Sequence, residues 1–158
     1  MEKTETQNFS INSAEKRQNV LRKIRTTIVD LIVDLARVLF FWIPGGDPEV
    51  GRALMTCHPF LIMIFVAMFF LLPPKHNFRI LIAIASVAVV ASQWLLGGCV
   101  ITRAEQKLTG SKTTIMDPFL TLAGLPADRN TRIAATIGMG TSISAVLVWA
   151  TLCDAFIH

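Results

Sequence analysis

Charge is what this 158-residue chain lacks where it is most apolar. Leu54 to Leu72, Ile80 to Ile101 and Ile133 to Cys153 contain no Asp, Glu, Lys or Arg. That absence excludes a soluble helical domain, whose helices would carry a charged face at a 3.6-residue period. A leader with an apolar core and a small-residue cleavage site is also missing, since Met1 to Arg25 is polar, so insertion is expected to use the first span as an uncleaved signal. The three cysteines, Cys57, Cys99 and Cys153, have neither CxxC nor Cys/His spacing, which removes the pattern of a structural metal site. They lie in or at the ends of apolar runs and are expected to be small buried residues, with lipidation of an interface-level thiol as the alternative. His58 and His76 flank the first run near opposite membrane faces, too far apart to share an ion. Cys57 and His58 are neighbours, but adjacent helical side chains point about 100° apart. No nucleophile, base and orienting group stand together, there is no Gly-rich phosphate loop, and Asp30 and Asp34 are the one carboxylate pair. The expectation is a protein that is not an enzyme, with no catalytic residues, cofactor, metal site, nucleic-acid partner or small-molecule substrate.

What is present is hydrophobicity in blocks. Apolar residues make up 53% of the chain and the mean hydropathy is +0.55, values shared by very apolar soluble domains and small membrane bundles, and the clustering decides between them. At about 1.5 Å per residue each run matches a hydrocarbon core about 30 Å thick. The fold class expected is an all-α integral membrane bundle with transmembrane helices over residues 54–72, 78–101 and 133–153. Residues 1–12 read as a disordered polar tail and residues 102–132 as a polar loop with a short surface helix near Asp117-Pro118-Phe119-Leu120.

Residues 13–43 read as one helix, opened by Asn12 and Glu15 at capping-box spacing and closed by Pro44-Gly45-Gly46. Its first half carries Lys16, Arg17, Arg22, Lys23 and Arg25, a cluster suited either to anionic headgroups or to solvent. In its second half Asp30, Asp34 and Arg37 form a polar stripe at i, i+4 and i+7. An interfacial helix with the stripe toward water and a fourth span hiding it both fit. Positive charge favours the interfacial helix. With three spans, the basic residues of the N-terminal region and of the 102–132 loop share one side, placed in the cytoplasm, while Lys75 and Arg79 lie opposite.

Pro73-Pro74 and a short turn make the first two spans antiparallel neighbours. Span three carries Ala134, Gly138 and Ser142 at four-residue intervals, with Thr136, Gly140 and Ser144 on a neighbouring stripe; small residues let helix backbones approach closely in lipid. Trp42, Trp94 and Trp149 fall near the ends of apolar segments, where indole rings favour the headgroup region.

The densest local pattern is Gly97-Gly98-Cys99-Val100-Ile101-Thr102-Arg103-Ala104-Glu105-Gln106-Lys107-Leu108. A helix continuing out of the membrane would stack Cys99, Thr102, Glu105 and Leu108 on one side, and the segment is similar to helix-exit motifs of several families of small multi-span proteins. The basic arm, the Pro73-Pro74 hairpin and the Thr102 to Leu120 loop together resemble small multi-span membrane proteins of large icosahedral DNA viruses with an internal membrane. The same layout resembles accessory subunits of respiratory or photosynthetic supercomplexes. Either resemblance implies a structural protein that anchors or scaffolds an assembly, as a virion or minor capsid component or as an accessory subunit, with the lipid bilayer and other protein subunits as partners. The alternative is a small oligomeric ion or proton channel or transporter using the Asp30/Asp34/Arg37 stripe.

Overall fold

A computed structural model describes the backbone of residues 2–74 and 76–157 and the side chains of residues 15–74 and 76–156. Lys75, placed above on the side opposite the basic loop, lies outside the described residues. Among the described residues all regular structure is helical: α1 Glu2–Leu39, α2 Asp47–Leu71, α3 Asn77–Leu96, α4 Val100–Thr109, α5 Asp117–Leu122 and α6 Arg129–Ile157. Three of these, α2, α3 and α6, are long and apolar enough to cross a membrane. This is a helical membrane protein. Phe60, Leu61, Met63, Ile64 and Leu71 on α2 and Val146 and Trp149 on α6 are exposed, a distribution that would aggregate a protein in water and that hydrocarbon requires.

Several boundaries differ from the sequence reading, for local reasons. The backbone of α1 is helical from Glu2, so Asn12 and Glu15 lie inside a helix instead of capping one. Helix α3 stops at Leu96, five residues before the apolar run ends, because Gly97 turns left-handed (φ 67°) and Gly98 follows at φ 120°. The amide of Gly98 donates to Gln93 O at 2.8 Å, closing a Schellman-type cap. The chain restarts as α4, separated from α3 by this Gly-Gly turn. Helix α2 begins at Asp47, with Pro48 in its first turn, where no intrahelical N–H is needed.

Two cores result. On one side α1 lays Val29, Val33 and Ala36 against Ala104 and Leu108 of α4 and Val50 of α2, all buried. Gly51 lets α2 and α4 meet: a Cβ there would lie 2.6 Å from Thr109 Cγ2 and 3.0 Å from the Thr109 backbone nitrogen. Inside the membrane layer, Phe69, Ile82, Ala83 and Leu147 pack α2, α3 and α6 together. Arg79 is buried there, bonded to Asp154 Oδ2 at 2.6 Å and lying 4.4 Å above the Phe69 ring. The pair links the start of α3 to the end of α6 and compensates two charges that could not enter separately.

Of the two small-residue stripes on α6, one faces α3 and the other is exposed. Ala134, Gly138 and Ser142 are exposed, and nothing lies within 4 Å of a Cβ at Gly138. The neighbouring stripe faces α3 instead, where Ser144 is buried and a Cβ at Gly140 would sit 3.1 Å from Gln93 Oε1. Both stripes have four-residue spacing, so only the rotation of α6 selects between them. Gly51→Ala should therefore lower the thermal unfolding midpoint of the detergent-solubilised protein, by an overpacking cost of about 1–3 kcal/mol, while Gly138→Ala should leave it unchanged or raise it.

Candidate functional site

The seam between α2 and α4 holds a polar cluster that chain spacing does not suggest. Helix α4 is amphipathic: Ala104 and Leu108 are buried, Lys107 is exposed, and Glu105 is buried with them at 3% exposure. A carboxylate removed from water needs a partner, and Glu105 Oε1 lies 2.9 Å from His58 Nδ1 on α2. The other ring nitrogen, His58 Nε2, is 3.8 Å from Cys99 Sγ. Nδ1 thus faces the carboxylate and Nε2 faces the thiol. Nucleophile, base and orienting carboxylate thus stand in line, the arrangement that activates a cysteine. The sequence sets Cys57 beside His58, whereas the fold sets Cys99 opposite it. His58 and Cys99 are 41 positions apart and His58 and Glu105 are 47 apart, and the return of the chain through α3 brings them together. The one legible signal was the stacking of Cys99 and Glu105 on one side of a helix, which pointed to a face but not to His58.

The fold also sets the environment of the thiol. The Gly97-Gly98 turn delivers Cys99 to the N-cap of α4, where it is partly exposed. Burial opposes ionisation of Cys99, but His58 and the N–H groups of Thr102 and Ile101 outweigh it, and its pKa falls below that of an ordinary thiol. His58 engages different partners through its two nitrogens, so no single ion could take all three side chains. Among the described residues no group of three His, Cys, Asp or Glu is placed to hold a metal. Cys57 and Cys153 are free thiols outside this line.

Around the same turn, arginines collect. Arg103 donates to Gly97 O at 2.8 Å and Arg25 to Leu96 O at 3.3 Å, so both use carbonyls that α3 leaves open at its C-terminus. Burial lowers the pKa of Arg103, and the nearby positive charges of Arg25 and Arg129 lower it further. Among the described residues none of the three forms an ion pair with a carboxylate.

The remaining sequence candidates are scattered. Lys16, Arg17, Arg22 and Lys23 are exposed along α1, while Arg25 turns inward to Leu96. Asp34 and Asp47 both bind Arg37, at 3.1 and 2.7 Å, and Asp30 binds Lys107 of α4 at 2.5 Å. The polar stripe thus fastens α1 to α2 and α4. In the loop, Asp117 pairs with Arg132 through two bonds of 2.7 and 2.8 Å and accepts from Thr114. These bonds hold α5 at the start of α6, with Phe119 and Leu122 exposed.

A thiolate favoured by its surroundings is present at lower pH and is lost only as pH falls through its depressed pKa. In a Cys57→Ser/Cys153→Ser background, alkylation of Cys99 by iodoacetamide should rise through a midpoint below that of a free thiol, about 8.5, and His58→Asn should move that midpoint upward. Rates followed by mass spectrometry across pH check both. Comparison with models of protein families, with curated proteins and with solved structures gives no match, so the cluster is understood through its geometry alone.

Proposed function

We propose that this protein is a structural membrane component that anchors or scaffolds a larger assembly, with its helical extramembrane layer as the contact surface. The observation that carries the reading is the division of the molecule. Polar ion pairs tie α1, α4 and α5 to neighbouring helices, while the spans leave most of their surface to other molecules. In the most apolar windows the buried share is 6% for α2, 28% for α3 and 11% for α6. Lipid and neighbouring subunits together would cover these faces. The exposed stripe of Ala134, Gly138 and Ser142 is a smooth surface of the kind that lets another membrane helix approach.

In this reading α1 lies in the interface. Val29, Val33 and Ala36 pack on α4 and α2, while Leu31, Leu35 and Val38 form a second exposed apolar row suited to the acyl boundary. The basic residues Lys16, Arg17, Arg22 and Lys23 extend the same helix toward anionic headgroups. The N-terminal helix, α4 and α5 then share the cytoplasmic or equivalent side. The pairs of Asp30 with Lys107 of α4 and of Arg37 with Asp47 of α2 support this reading over an ion or proton pathway, because they engage the stripe in contacts between helices. A virion membrane and a membrane supercomplex are both settings that such a role would fit.

Single cysteines introduced at Gly46, Asn77 and Ser111 in a protein freed of native cysteines should separate under an impermeant thiol reagent. Gly46 and Ser111 should label from one side of intact membranes and Asn77 from the other; labelling of Gly46 and Ser111 from opposite sides would place α1 across the bilayer. Extraction in mild detergent should recover the protein with partner subunits, and recovery as a lone monomer would remove the scaffold reading.

A further inference from the structure

We propose that Cys99 is a self-acylating thiol that takes a long-chain acyl group from a thioester whose carrier bears phosphates, with His58 as its base, Glu105 as positioning residue and Arg25 and Arg103 as the phosphate-holding pair. This goes beyond the anchoring role and does not depend on it.

Three independent features converge on one turn. The first is the line from Cys99 Sγ to His58 Nε2 at 3.8 Å and from His58 Nδ1 to Glu105 at 2.9 Å. A buried carboxylate–imidazole pair is a poor way to gain stability, because apolar residues of equal volume hold a seam at least as well; such a pair aimed at a nucleophile marks a site. The second is the guanidinium pair, with Arg25 and Arg103 on adjacent carbonyls at the end of α3. Positive charges gathered without a carboxylate suit an anion, and the planar guanidinium matches phosphate. The third is depth. Cys99 follows directly on a span and is partly exposed, so a chain attached to it starts at the membrane boundary and its methylenes enter hydrocarbon, each favoured by about 0.8 kcal/mol.

The step balances without an added oxidant or reductant. Cys99 sulfur, its proton resting on His58 Nε2, attacks the thioester carbonyl carbon. The new carbon–sulfur bond to Cys99 forms, the bond to the carrier sulfur breaks, and His58 returns the proton to the departing thiolate. One thioester is exchanged for another, so the reaction is close to thermoneutral; an oxygen ester of a phospholipid would be an uphill donor for the same thiol.

The test uses the full chain in nanodiscs with an alkyne-bearing palmitoyl thioester of coenzyme A, followed by fluorophore attachment. Labelling should be removed by hydroxylamine, release one free thiol per acyl group, persist in Cys57→Ser/Cys153→Ser and vanish in Cys99→Ser, a nearly isosteric change. His58→Gln should slow it roughly 100-fold, the scale of a positioned base. Arg25→Ala and Arg103→Ala should raise the donor concentration needed for half-maximal labelling, yet leave unchanged the labelling by an uncharged acyl-N-acetylcysteamine thioester. That uncharged donor keeps the thiol chemistry testable if an arginine variant folds poorly. Equal labelling of Cys57 or Cys153, a hydroxylamine-stable label, or a rate indifferent to His58 in a variant with an unchanged melting profile would overturn the proposal. Labelling from a phospholipid with the same alkyne chain at an equal rate would overturn the thioester source.

Discussion

The bond between His58 and Glu105 is the contact on which the rest of this structure turns, because it joins α2 to α4 inside a nearly dry seam. Glu105 is buried, and without the imidazole it would be an uncompensated charge or a protonated acid among apolar side chains. Everything needed to bring the two side chains within 2.9 Å follows from close backbone approach. Gly51 admits α4 against α2, Ala104 keeps the seam narrow, and Val29, Val33 and Ala36 of α1 close it from the other side. The same approach that satisfies Glu105 also aims His58 at Cys99.

At the other end of the spans a second compensated pair performs a comparable task. Arg79 and Asp154 are the charges nearest the α3–α6 core, and Phe69 lies against the guanidinium. Removing one partner would leave the other without a counter-charge in a low-dielectric layer, a penalty larger than the net worth of the pair. Between the two pairs the spans are held by apolar contacts and by small residues, notably Gly140 and Ser144 facing α3. The molecule is therefore polar at two levels and apolar between them, as a bilayer demands.

Helix identity was legible in the chain because it depends on local properties: uninterrupted apolar runs, Pro73-Pro74 between spans, Pro44-Gly45-Gly46 after α1. Helix ends were less legible where glycine intervened. The run to Ile101 reads as continuous by hydropathy, yet Gly97 and Gly98 adopt positive φ and divide it, because backbone freedom is invisible to an apolarity count. Which of the two equivalent stripes on α6 meets α3 was not legible, as rotation about a helix axis is set by what packs against it. The line of Cys99, His58 and Glu105 escaped for a different reason: Cys57 is the sequence neighbour of His58, whereas the thiol facing His58 is on the far side of a helical hairpin.

By itself the sequence determined that this protein enters a membrane and carries three helices long and apolar enough to cross it, because the transfer of charge-free segments from water depends on composition and length alone. Only the tertiary structure decided that Asp30 and Arg37 fasten α1 to α4 and α2, that Arg79 meets Asp154, and that Cys99, His58 and Glu105 form a line beside Arg25 and Arg103. Those outcomes need side chains from separate helices placed within bonding distance, and that placement is a property of how helices pack, which no residue carries locally.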